Sequence, residues 1–169
     1  MDERARAAAP SYRFKMAGIN VDLLVESLAE KLDRYDDPRL RLECDGMTRI
    51  AHTVLGDAPH RCMAGEVRYR ECGFSPHYWI EVECDSKIII VDYCWQRWFP
   101  NIEKRPHEKT LCKQGVFLLL DTPQELHSYS GQEVTVGYLS PEVFAAMTTP
   151  IPDEVLAALE VNLGGNRED

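Results

Sequence analysis

The sequence predicts an α+β domain with an antiparallel sheet. Two amphipathic helical stripes lie between residues 20 and 55, the period changes to β-rich segments from residue 62, and short helices with proline starts follow near the end. The first helix opens at Asn20, a good N-cap. Val21, Leu24, Val25, Leu28 and Leu32 then recur at helical spacing until Asp33–Pro38 breaks the pattern. A second stripe of Met47, Ile50, Ala51, Val54 and Leu55 ends at Gly56, with Cys44 at its N-terminal end. Cys62–Tyr69, His77–Cys84 and Lys87–Asp92 read as strands, and the two-residue break Asp85-Ser86 makes the last two a hairpin. Asn101–Lys109, charged and proline-containing, reads as a loop. Val116–Leu120 and Glu133–Leu139 read as two more strands. Ser140-Pro141 starts a short helix to Met147, and Pro152-Asp153 opens a last one ending at Gly164-Gly165.

Length and composition bound the rest. At 169 residues the chain is one domain's worth: a loosely ordered segment 1–18, a single domain 19–163 and a flexible tail 164–169. Nineteen basic against 28 acidic residues give a net charge of −9, and no basic stripe exists for nucleic acid. The longest apolar runs, Ile88–Val91 and Val116–Leu120, are strand-sized, which predicts no membrane span. The N-terminal residues contain no apolar h-region, so a cytoplasmic location is expected. There the six cysteines are expected reduced, most of them as small buried hydrophobes. Cys-x-x-Cys is absent, and the pair Cys72/His77 has no second pair to match it, so no metal site is expected.

The hairpin carries the chemistry. With Cys84 opposite Lys87, Trp79 falls opposite Asp92 and His77 opposite Cys94, so His77 and Asp92 become diagonal neighbours on one face. A carboxylate holding one imidazole nitrogen leaves the other to act as a base. Cys44, at a helix start, is the candidate nucleophile: helix dipoles and free N–H groups favour a thiolate and can bind an oxyanion. Trp79 and Trp95 are the candidate substrate-contacting rings. Trp95 lies in the aromatic stretch Tyr93–Phe99, read as one wall of a groove, and packing beneath the site is the alternative for Trp79. Glu81 has Arg61 and Arg68 as candidate partners.

These segments are Cys44-Asp45-Gly46, the strand starting at Arg61, His77-Tyr78-Trp79-Ile80-Glu81-Val82 and Ile90-Val91-Asp92. Their order resembles the transglutaminase-like branch of the papain-type cysteine enzymes over roughly residues 40–95. The resemblance implies a papain-like core with the antiparallel sheet packed on the helix carrying the cysteine. It also implies a Cys44-His77-Asp92 triad that transfers acyl groups from a peptide or protein amide through a thioester, without cofactor. Protease, amidase and deamidase activities share that constellation. Glu43 and Asp45 flank the cysteine and oppose a thiolate. The alternative is a catalytically degenerate domain that binds a peptide or protein in the same cleft.

Overall fold

The computed structural model describes residue 18 and residues 20–157. The rest of the expected N-terminal segment 1–18, the far end of the last helix and the tail 164–169 lie outside the described residues. Helix α1 (Val21–Leu32) starts where the Asn20 side chain accepts the Asp22 N–H, and it buries Leu28 and Leu32. Helix α2 (Cys44–Leu55) buries Cys44, Met47, Thr48, Ile50, Ala51 and Leu55, and Gly56 at φ 54° terminates it. Both helices cover one face of a five-stranded antiparallel sheet in the order β4-β3-β2-β1-β5. Its strands are β1 (Arg61–Tyr69), β2 (Cys72–Cys84), β3 (Lys87–Asp92), β4 (Gly115–Leu118) and β5 (His127–Glu133).

Strand alternation sorts the core into two sides. Ile80, Val82, Ile89 and Val91 face the helices, while Trp79, Ile90 and Phe117 pack on the other side. Leu32, Ile50, Ile80 and Ile89 are sealed from solvent, each burial contributing roughly 1.5–3 kcal/mol. The β2–β3 register is the expected one, from Cys84↔Lys87 to Ile80↔Val91. Asp85 and Ser86 both take positive φ, 48° and 65°, which suits a two-residue hairpin turn. The β2–β3 ladder ends at Ile80↔Val91, one step short of Trp79 and Asp92, and on its other side Asp92 pairs with Gly115 of β4.

Three expectations need correction. The charged stretch 101–109 is helical, with a 3-10 turn at Pro100–Lys104 and helix α3 (Pro106–Leu111). Ile102 is fully buried there, and Glu108 accepts from Tyr69 Oη (2.5 Å) and from Arg70, tying α3 to the end of β1. The last strand among the described residues is His127–Glu133 and not Glu133–Leu139. After Val134 N–H bonds the Cys62 carbonyl (2.8 Å), the chain leaves the sheet. Val134, Val136 and Leu139 then pack into the α2 side of the core, so their alternation reflects burial without a partner strand. The run from Val116 also shortens, passing into a 3-10 turn at Leu119–Asp121. Helix α4 (Pro141–Met147) starts at the Ser140 cap as expected, and residues 153–157 are helical.

β3 and β5 stand three places apart, ~14 Å in a flat sheet. The long Tyr129 side chain of β5 reaches back over the sheet face, and its hydroxyl donates to Asp92 of β3 (3.0 Å). Glycines permit a close approach of β1 and β5 beside it. Gly65 pairs with Gly131, and a Cβ on Gly131 would lie 2.5 Å from both the Ala64 carbonyl oxygen and the Trp79 ring. No helix is long and apolar enough to cross a membrane among the described residues.

Candidate functional site

Asp92 ends β3 in a pocket of donors. Its Oδ1 accepts the backbone N–H groups of Cys94 (2.9 Å) and Trp95 (3.2 Å), which turn the chain away from the sheet. Its Oδ2 accepts Tyr129 Oη (3.0 Å) and His77 Nε2 (2.5 Å). Four donors thus fix one carboxylate whose side chain is 1 % exposed. A carboxylate held this way can orient an imidazole.

His77 is fully buried. Burial alone would push its pKa down, but the Asp92 hydrogen bond and the Cys44 side chain outweigh it and raise the value to about 9. Nε2 is committed to Asp92, while Nδ1 is buried without a hydrogen bond of normal geometry. Cys44 acts on this ring from the first position of α2. The three expected residues therefore come together: cysteine from a helix start, histidine from mid-β2, aspartate from the end of β3. Cys44, Tyr78, Asp92 and Cys94 help line a cavity of about 10 Å³, room for about one water.

The flanking acids point away. Glu43 and Asp45 are exposed, and Glu43 places no side-chain cap on the first turn of α2. An exposed acid in that turn interacts favourably with the dipole, by roughly 0.3–1 kcal/mol. Three other thiols are less suited to react. Burial, then Asp92, pushes the Cys94 thiol up to about 12, and burial raises Cys62 and Cys112 to about 11. All six cysteines are free, and only Cys72 is exposed.

The two tryptophans do not occupy a substrate wall. Trp79 is 1 % exposed and Trp95 0 %, so neither ring reaches a ligand at the surface. Trp79 stacks beside His77, with centroids 6.1 Å apart, and donates its indole N–H to Glu81 (3.1 Å). Glu81 is also held by Arg61 (2.8 Å), while Arg68 pairs with Glu66. Trp95 lies flat on His127, 3.8 Å between centroids, and bonds the Lys113 carbonyl. Both serve as packing behind the polar groups.

Tyr129 and His127 are the residues that sequence reasoning missed. Both sit on β5, whose polar run His127-Ser128-Tyr129-Ser130-Gly131-Gln132-Glu133 has no apolar alternation. His127 is fully buried, with both ring nitrogens lacking a hydrogen-bond partner, and burial pushes its pKa down to about 4.

The two buried histidines oppose each other in pH dependence. His77, raised, contributes stability that is complete below about pH 6.5 and is lost as pH rises through about 9. His127, lowered, contributes stability present above about pH 6.5 and lost as pH falls toward about 4. Together they are expected to place maximal stability near pH 6.5. His127→Phe removes two orphaned polar atoms at similar size, so it should be neutral or stabilising and should flatten the acid limb alone. Urea denaturation of both proteins across this range checks the pair of limbs. An unchanged acid limb in the variant would sink the assignment. No protein-family model matches the chain, and neither a curated protein nor a solved structure matches it significantly.

Proposed function

We propose that the chain is a cysteine-dependent acyl-transfer enzyme acting on a peptide or protein amide, with a transglutaminase-type papain-like core. The convergence of Cys44, His77 and an Asp92 held by four donors carries this reading. In the mechanism the Cys44 sulfur attacks the amide carbonyl and forms the S–C bond. His77, with its pKa raised to about 9, stands as the imidazolium partner of the attacking sulfur, and its Nδ1, the nitrogen Asp92 leaves available, gives its proton to the leaving nitrogen as the C–N bond breaks. The first-turn N–H groups of α2, uncapped by Glu43, face the developing oxyanion. Water or an amine then resolves the thioester, with His77 accepting its proton.

Thiol reactivity tests the proposal. In a Cys72→Ser background, iodoacetamide at neutral pH is expected to alkylate Cys44 faster than the other four cysteines, read by peptide mass mapping. Uniformly slow labelling would instead favour a non-catalytic binding domain. The near-complete burial of Cys44 (7 % exposed) beside a one-water cavity supports that second reading.

A further inference from the structure

At the other end of α2, two histidines and a cysteine converge outside the site just described. His52 lies in the last turn of α2, His60 immediately precedes β1, and Cys62 is the second residue of β1. Gly56 reverses the chain between them. Their ligand atoms all lie within 4.8 Å of one another, on the wall of a cavity of about 470 Å³ that Glu133 also lines. Eight residues of helix, about 12 Å of rise, separate His52 from Cys44.

The His60 tautomer leaves a lone pair aimed into the cluster. His60 Nδ1 donates to the Ala58 carbonyl (2.6 Å), so its Nε2 carries a bare lone pair. That lone pair faces His52 Nδ1 at 2.7 Å. At that separation the His60 lone pair is satisfied either by a proton on His52 Nδ1 or by a metal ion held between the two nitrogens. Anchoring the outer N–H on a carbonyl is also how ligating histidines are held in register. Ideal tetrahedral zinc sites place N and N ~3.3 Å apart and N and S ~3.6 Å apart. The three atoms reach those separations through movements of about 1 Å, with the His pair opening and the sulfur closing in.

We propose that His52, His60 and Cys62 form a binding site for one zinc-like divalent transition metal, with Glu133 or water in the fourth position. Two imidazoles with one thiolate select a borderline-soft ion over magnesium or calcium. Bound metal clamps the end of α2 to β1, and with Glu133 in the fourth position also to the end of β5, so its role is structural and independent of the acyl-transfer reading. The sequence hides the site because His52-x7-His60-x-Cys62 matches no familiar finger spacing.

The probe is Co²⁺, added to the chelator-stripped full chain. The expected result is one Co²⁺ per chain, with intense tetrahedral ligand-field bands and a thiolate-to-metal charge-transfer band, displaced by Zn²⁺. Cys62→Ser should abolish the charge-transfer band, and His60→Ala should weaken binding by more than roughly 100-fold. Cys44→Ser should leave the spectrum unchanged, separating this site from the candidate nucleophile. X-ray absorption of the wild-type zinc form, expected to show one sulfur and two imidazoles, reads the ligand set without any variant. Absence of stoichiometric binding overturns the site and leaves a shared proton as what joins the two rings. A metal shell without sulfur, or a band that disappears with Cys44→Ser, overturns it equally.

Discussion

Cys44→Ser and His77→Ala are each expected to remove ~10⁴–10⁶-fold of the turnover on any amide substrate the wild-type chain cleaves. The serine hydroxyl holds its proton far more tightly than a thiol, and without the imidazole no group beside the sulfur accepts one. On the proposed mechanism the two act as one unit, so the double variant should be hardly worse than either single one. Asp92→Asn should cost less than either, since it misorients the ring without deleting it. Initial rates on a panel of peptide anilides provide the measurement, with circular dichroism to verify folding. If the two single losses multiply, the residues work independently and the cysteine-nucleophile reading falls.

Asp92→Ala is expected to be the most damaging of these changes for the fold. It leaves a buried imidazolium, the Tyr129 hydroxyl and two backbone N–H groups without their acceptor. Breaking a buried charged pair on one side costs about 3–5 kcal/mol, which for a chain of this size lowers Tm by roughly 6–20 °C. Asp92→Asn keeps an oxygen for the two amides and should recover part of that loss. Urea denaturation of both variants near pH 6.5 checks the order. A cost below about 1 kcal/mol for Asp92→Ala would mean that the four hydrogen bonds are not the anchor described.

The site was legible where pattern and register both spoke. The Asp85-Ser86 break set the β2–β3 register, and that register put His77 and Asp92 on one face, where they bond. The α2 stripe likewise located Cys44 at a helix start. What escaped came from β5, because a strand of serine, glycine and glutamine carries no hydrophobic period for a reader to find. Its place beside β1 is set by hydrogen bonds and by the Gly65–Gly131 approach, neither of which leaves a compositional trace. The neighbouring Val134–Val136 alternation misled for the converse reason, since side chains packing on a helix alternate as they do in a sheet. Trp95 was drawn toward a surface role by its aromatic company, although its indole N–H had a carbonyl to satisfy inside. The charged loop concealed α3 because Glu108 pairs with groups some 38 residues earlier.

The strand order also imposes a timetable on the ribosome. β1 has its first neighbour as soon as β2 emerges, but its second neighbour is β5, the last strand among the described residues. Tyr129 follows Asp92 by 37 residues, an interval of roughly 2–7 s at ordinary translation speed. Throughout that interval the nascent sheet carries an open edge at β1, the kind of surface on which chains pair wrongly. Over the same seconds the Asp92 carboxylate lacks the hydroxyl that completes its set of donors. Closing that edge and finishing the donor set are one event, so a chain that stalls before β5 is at once sticky and without its full complement of polar contacts.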